Sequence, residues 1–390
     1  MPQITSLLNV DGFELEDISG LDPITFKIRY TLPARCPDCS NGAVRIKDTF
    51  YRRIRHESLG RRKVFLYLRT HKFLCACGRY FNERFPGILP YKRSTEAFRK
   101  EVFYKHHDGI CQKTLAYRLG IGHATIERWY QSLLELKLTR SQNDPAPRVL
   151  GIDEHFFTRK QGYATTLCDL GNHKVYDVVL GRSENALKGY LDDLRDKDKT
   201  RVVVMDLSET YRRIVKHYFR NARIVADRFH VIRLVNHHFL KTWQLLDPEG
   251  RKNRGLLSLM RRHEEKLTVG QRMRLFSYFS GFPALQVIWE FKQKLAHLLL
   301  IKRRTKKQCK RLIQIFLHYV SLLKDSRFES MHTLGKTLES WSEEIVCMWR
   351  FTKSNGITEG FHNKMELISR RAYGFRNFQN YRLRVRALCA

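Results

Sequence analysis

The chain has 390 residues, 43% of them hydrophobic, and carries 72 Lys and Arg against 39 Asp and Glu, a formal net charge of +33 at pH 7. That apolar content excludes a disordered basic tail, and the low Gly and Pro counts (22 and 10) exclude collagen-like and low-complexity chains. At roughly 100–200 residues per domain two or three domains are expected, and the charge calls for a polyanionic partner, nucleic acid before an anionic membrane.

The first residues lack the basic-then-apolar pattern of a secretory leader. No run reaches the roughly 18–20 apolar residues that span a bilayer, so no membrane association is expected and the chain reads as cytoplasmic. Nine Cys, an odd number, argue against a closed disulfide framework. Four of them form two tight pairs, Cys36-Pro37-Asp38-Cys39 and Cys75-Ala76-Cys77, separated by strand-like alternation such as that of residues 63–68. Paired thiolates across a hairpin predict a zinc ribbon, with a structural Zn²⁺ stapling a thin-cored domain over residues 1–90. His56 and His71 are reserve ligands, and reduced thiols in a small β unit are the plainer reading. The other five Cys read as packing residues.

Residues 91–140 read as helical, opened by a capping residue at Ser94 or Thr95. Leu115, Ala116 and Leu119 share one face, Gly120 and Gly122 bracket the turn, and Ile126, Trp129 and Tyr130 face back. This predicts a helix-turn-helix DNA-binding domain whose second helix presents His123, Thr125, Glu127 and Arg128 to the major groove. Residues 141–147, with two prolines, read as a linker.

Beyond the linker the pattern turns to strands. Residues 148–157, 163–169 and 174–180 predict an antiparallel meander, followed by a helix over 183–194 and a buried strand over 201–205. A helix over about 209–219 and a strand over 223–226 complete residues 148–232. This β-β-β-α-β-α-β order is that of the ribonuclease H-like fold, a mixed five-stranded sheet in which the first and fourth strands are parallel neighbours. Asp153 and Asp206, at their carboxyl ends, would lie side by side. Two close carboxylates repel unless a cation intervenes, and hard oxygen donors suit Mg²⁺ or Mn²⁺. Two such ions support in-line phosphodiester chemistry. The alternative is that each Asp is an ordinary strand-end residue.

Residues 233–350 repeat apolar positions at helical spacing and predict a large all-α insertion. In residues 351–390 a polar loop enters a helix, Thr358 is a candidate cap, and Glu359 in the first turn is the candidate third carboxylate. Asp227, ending the fifth strand, is an alternative second acid. His230 would orient a carboxylate, contact a phosphate or simply bond at a helix start. The segment Lys302-Arg303-Arg304-Thr305-Lys306-Lys307-Gln308-Cys309-Lys310-Arg311 has seven cations in ten residues and reads as a phosphate track. Arg370, Arg371, Arg376, Arg382, Arg384 and Arg386 interleave with aromatics near the C-terminus; the arginines read as DNA contacts and the aromatics mainly as core.

These strings resemble the DDE transposases of the ISL3 family of bacterial insertion sequences. The resemblance rests on the Cys pairs, the helix-turn-helix, Gly151-Ile152-Asp153-Glu154-His155, Asp206-Leu207-Ser208-Glu209-Thr210-Tyr211, Ala226-Asp227-Arg228-Phe229-His230, Ser354-Asn355-Gly356-Ile357-Thr358-Glu359-Gly360 and the Arg-rich end. It implies that Asp153, Asp206 and Glu359 bind two divalent cations. It also implies that the chain binds the terminal inverted repeats of its element, cleaves there and transfers the strand to target DNA. A homodimer or higher synaptic complex follows, because two ends must be joined. The rivals are a ribonuclease H-like nuclease without strand transfer and a non-catalytic DNA-binding regulator.

Overall fold

The computed structural model describes residues 12–138, 144–351 and 355–389. The expectations for the N-terminal leader, for residues 141–143 of the linker and for the loop residues Lys353 and Ser354 fall outside them. The chain forms two compact units, Met1–Lys137 and Leu138–Ala390. Among the described residues no helix is long and apolar enough to cross a membrane.

The first unit begins with two strands that the sequence reading had not anticipated, β1 (Phe13–Ser19) and β2 (Ile24–Tyr30), paired antiparallel. β2 lies parallel to β4 (Arg62–Cys75), and β4 pairs antiparallel with β3 (Val44–Leu59) along a long ribbon. A short β5 (Tyr80–Asn82) joins the far end of β4. Ile24, Phe26 and Ile28 on β2 and Val64, Leu66 and Leu68 on β4 alternate inward and form one small core with Phe13, Ile54 and Phe85. The ribbon runs beyond this core, which is where a metal staple has work to do.

Three helices follow: α1 (Glu96–His107), α2 (Gln112–Leu119) and α3 (His123–Leu138). Thr95 caps α1, its hydroxyl accepting from the Phe98 amide. Gly120 closes α2 in the left-handed region at φ 66°, a conformation an L side chain adopts only with strain. Phe98, Val102, Leu115, Leu119 and Ile126 pack between the three helices.

The second unit holds a five-stranded sheet. β6 (Val149–Thr158), β7 (Gly162–Asp169) and β8 (Lys174–Leu180) form the antiparallel meander; β9 (Val202–Met205) and β10 (Arg223–Ala226) extend it in parallel, in the order β10-β9-β6-β7-β8. All of β9 is buried, as expected of a central parallel strand covered on both faces. Helices α4 (Glu184–Asp193) and α5 (Glu209–Tyr218) fill the connections, capped by Ser183 and Ser208.

A helical region then runs through α6 (Arg228–Leu246), α7 (Pro248–Lys252), α8 (Arg254–Arg261), α9 (Val269–Ser280), α10 (Pro283–Leu300), α11 (Lys306–Lys324), α12 (Glu329–Ser340) and α13 (Ser342–Arg350). Trp243, Trp289 and Trp349 are fully buried there, in an apolar core continuous with that of the sheet. The chain returns to the sheet with α14 (Gly356–Arg371) and α15 (Phe378–Leu388).

Two local expectations change. Residues 144–147 of the expected linker are docked rather than free: Tyr176 donates to the Asp144 carbonyl, the Ala146 amide to Arg195, and Thr200 to the Pro147 carbonyl. Lys302, Arg303 and Arg304 lie on a loop, because α11 starts only at Lys306, behind a Thr305–Gln308 capping box.

Candidate functional site

Strand register builds the acidic pocket. Ile152 pairs with Met205, and Met205 with Ala226. The next residue after each is an aspartate, so Asp153, inside β6, and Asp206 and Asp227, just past the carboxyl ends of β9 and β10, stand in a row; β6 does not end at its acid, as the sequence pattern predicts, but runs on to Thr158. Burial pushes the Asp153 carboxyl up to about 6; the charges of Asp206 and Asp227 add to this, while the Glu154 amide and His230 oppose it. Asp206 is also raised, by burial first and then by Glu154 and Asp227 against His230.

The acids differ in what they hold. Asp227 is buried with both oxygens engaged: Oδ1 accepts from the Asn355 amide at 3.1 Å, and Oδ2 pairs with His230 Nδ1 at 2.9 Å. That bond raises the His230 pKa. Asp206 Oδ1 is buried and has no hydrogen-bond partner. An unpartnered buried carboxylate oxygen beside another raised carboxyl is the donor set a hard divalent cation satisfies.

Helix α14 is tied to the same edge. Asn355, at its N-cap position, donates through Nδ2 to the Ile152 carbonyl at 3.0 Å while its amide meets Asp227. The cap is therefore Asn355, not Thr358, which lies one turn inside, buried, and donates to Asn355 Oδ1. Glu359 stands in the first turn as expected, with an exposed side chain. One turn on, His362 Nδ1 lies 4.0 Å from Asp153 Oδ2. The structure thus groups Asp153, Asp206, Asp227 and His230. It does not bring Glu359 into ligand spacing with them: among the described residues the cysteines are the only metal-type cluster within 4.8 Å.

Sequence reasoning missed a relay behind Asp153. Tyr381 Oη meets His155 Nε2 at 2.9 Å, His155 Nδ1 meets Thr166 Oγ1 at 2.9 Å, and Thr166 Oγ1 meets His362 Nε2 at 3.0 Å. Burial holds His362 down at about 4 and, with the charge of His362, His155 at about 3, so both rings are neutral at pH 7. The only signal in the sequence was that Asp153 and His155 share one face of β6 by period-2 alternation.

The cysteine cluster assembles as expected. Sγ–Sγ distances are 3.7 Å for Cys36–Cys77, 3.5 Å for Cys39–Cys75 and 3.6 Å for Cys39–Cys77. Zn–S bonds of about 2.3 Å in a tetrahedron put sulfurs about 3.8 Å apart. The backbone amides of Cys39 and Asp38 draw the Cys36 thiol down to about 7. The Asn41 amide points at Cys39 and the Cys77 amide at Cys75. The four thiols thus fit a structural zinc, and the narrow Cys75-x-Cys77 spacing is no obstacle. His56 and His71 are engaged elsewhere, with Thr95 and Thr49.

The cationic residues divide. His123, Arg128, Lys302, Arg303, Arg304, Arg370, Arg371 and Arg376 are exposed, and Thr125 is half-buried. Arg370 bonds Glu366 on its own helix. Buried Arg228 donates to the carbonyls of Leu299, Ile301 and Met348, fixing the basic loop to the start of α6. Arg382 is not a surface cation: it forms a two-pronged pair with buried Asp177, with Arg386 at 3.9 Å. Phe378 and Tyr381 are core, whereas Tyr373 is exposed.

Residues 150–385 match the ISL3 family model described as a transposase. Residues 32–77 match the model described as the zinc-finger of transposase IS204/IS1001/IS1096/IS1165. The chain is 22% identical over 366 residues to the transposase for insertion sequence element IS1001 of Bordetella parapertussis, an alignment covering 90% of this chain and 88% of that protein.

Proposed function

This chain belongs to the ISL3 family of DDE transposases, and we propose from that premise that it binds the terminal inverted repeats of an insertion sequence, cleaves DNA there and transfers the strand. Its sheet is read as ribonuclease H-like, with Asp153, Asp206 and Glu359 as the carboxylates that hold two Mg²⁺ or Mn²⁺ ions. Bound there, such ions activate a hydroxyl nucleophile and stabilise the leaving oxygen of a phosphodiester. The observation that carries the reading is the register-aligned row of acids with an unpartnered oxygen on Asp206.

The protein's own groups divide the remaining tasks. Asp227, saturated by Asn355 and His230, is assigned to positioning: it anchors the start of the helix that carries Glu359. This favours Asp206 over Asp227 as the second catalytic acid. His230 is held by Asp227, a bond that favours the ring's charged form beside the acids and suits it to orient a phosphate. Asn355 locks α14 to the residue before Asp153.

DNA is held elsewhere. Helices α2 and α3 are read as a helix-turn-helix, with His123, Thr125 and Arg128 directed to the groove. Lys302, Arg303 and Arg304, followed by Lys306 and Lys307 in the first turn of α11, stack cations on the positive end of a helix dipole, an arrangement that repels itself unless phosphate lies across it. Arg370, Arg371 and Arg376 extend the phosphate contacts. Two ends must meet, so the working form is a dimer or larger complex.

The test is cleavage of a labelled element end in Mg²⁺ by wild type and by Glu359→Gln, with a target plasmid present. Cleavage and joining by wild type alone supports the proposal. Cleavage without joining makes the chain a nuclease. Cleavage by neither, or by both alike, removes Glu359 and the catalytic reading.

A further inference from the structure

β6 does not stop at Asp153. It runs on to Thr158 and turns back through Arg159, Lys160 and Gln161 into β7. On this extension Phe156 and Tyr163 are cross-strand partners, their rings edge to face with centroids 5.6 Å apart. Both lie open, Phe156 56% exposed and Tyr163 39%. The Arg182 guanidinium sits 4.3 Å from the Tyr163 ring centroid and is held by Glu154 at 3.0 Å. Arg159 and Lys160 are exposed at the tip, without an ion pair among the described residues.

A cross-strand aromatic pair steadies a hairpin, and that is the plainest role for these rings. This hairpin is already anchored on its other face, where Phe157 packs against Phe378 and Tyr381. The outer rings are therefore free to serve as a surface. Aromatic faces beside unpaired cations bind single strands, because any base has a π-face to stack and a backbone to neutralise. Duplex bases, already stacked, offer no such face.

Position sharpens the assignment. By alternation Phe156 faces the opposite side of the sheet from Asp153 and shares its face with Glu154, whose charge bears on Asp206. A stacked strand advances about 3.4 Å per nucleotide, so a strand rounding the sheet edge from a phosphate held at the acidic pocket reaches the platform within a few nucleotides. We propose that Phe156, Tyr163 and Arg182 form a binding site for an unpaired base of the DNA strand being cut, which stacks there irrespective of its identity. The proposal rests on the DNA-processing reading above and adds to it that the end must be locally unpaired.

The full-length protein would be mixed with a blunt duplex and with the same duplex bearing a single-stranded extension that carries a fluorescent adenine analogue at the junction. Wild type should bind the extended duplex about tenfold more tightly or better, from stacking of one base, and quench the analogue. The Phe156→Ser/Tyr163→Ser double variant should bind both duplexes alike and leave the analogue bright. Arg182→Gln, a change outside the hairpin that leaves both rings in place, should lose part of the preference, and it serves as the readout if the double variant fails to fold. Wild type binding both duplexes equally without quenching, or variants that keep preference and quenching, would overturn the platform and leave the transposase reading standing. Wild type binding neither duplex would remove the DNA-processing reading itself.

Discussion

The thiols of the N-terminal unit come from two stretches of four and three residues and already lie at ligand spacing, whereas the carboxylates proposed to hold the divalent ions come from β6, the end of β9 and α14, elements separated by most of the second unit. The thiol site is closed, with soft donors of which Cys36, Cys39 and Cys75 face nearby backbone amides. The acidic site is open: two raised, mutually repelling acids sit close, and Glu359, the proposed third carboxylate, stands exposed in the first turn of α14. The first arrangement suits a permanent staple, and the second suits ions that must exchange contacts with a changing substrate.

Substitution at the open site should give the largest effect. Divalent ions supply several kcal/mol of transition-state stabilisation. At about 1.4 kcal/mol per tenfold, Asp153→Asn should slow end cleavage by about 10³-fold or more. Zinc content should not change, and the melting temperature should hold or rise, since a buried acid crowded by Asp206 and Asp227 is gone. Wild-type cleavage by this variant would break the contrast by moving catalysis elsewhere. Removing zinc with a chelator, or Cys39→Ser, should act on the closed site alone. Melting of the N-terminal unit and end binding should both fail, while the unit from Leu138 onward keeps its own unfolding transition. A stripped protein with unchanged melting would show that the small core of β2 and β4 suffices without the staple.

The same contrast explains what was legible in the sequence. Cys36, Cys39, Cys75 and Cys77 announce themselves by spacing, because a metal knuckle is a local structure. Asp153 and Asp206 were legible because an acid following an apolar run is also local, although β6 runs on past Asp153, and strand order supplied their adjacency. Asp227's saturation was not, since its partner Asn355 arrives from across the whole helical region. Arg382 and Arg386 looked like DNA contacts because charge is visible in a sequence and its buried partner Asp177 is not. β1 was missed because its edge position leaves much of it exposed and only a weak alternation to read, whereas β2 does alternate through Ile24, Phe26 and Ile28 but in a run of only seven residues.

The open site also depends on distant packing. Arg212 on α5 donates to both oxygens of buried Glu344 on α13, at 2.7 and 2.6 Å, and lies 4.1 Å from the Trp341 ring centroid. This pair ties the helical region to the sheet that carries Asp206. Glu344→Ala leaves the guanidinium poorly compensated and should cost about 3 kcal/mol, the low end for a broken buried pair, because Arg212 retains Ser340 and Glu209. Cleavage should fall with it and zinc content should not. A chelation-sensitive loss of zinc in this variant would contradict the independence of the two sites.

The smallest effect belongs to the relay behind Asp153, and it tests how the open site is held. With both imidazoles neutral, each has one donor and one acceptor nitrogen. One self-consistent direction has the Tyr381 hydroxyl donating to His155, His155 to Thr166, Thr166 to His362, and His362 turning its Nδ1–H toward Asp153. Tyr381→Phe removes the first donor and frees His155 to reverse its tautomer, which would set an acceptor lone pair of His362 against the Asp153 carboxylate. One neutral hydrogen bond is worth about 0.5–1.5 kcal/mol, so stability should drop only slightly. Tyr381 is a positioning residue, and its signature is the metal dependence of cleavage. Half-saturation by Mg²⁺ should move up severalfold, and the rate at saturating ion should recover most of the way to wild type. A rate that stays low at every ion concentration, with unchanged half-saturation, would make Tyr381 a packing residue of α15 and sever the relay from the pocket.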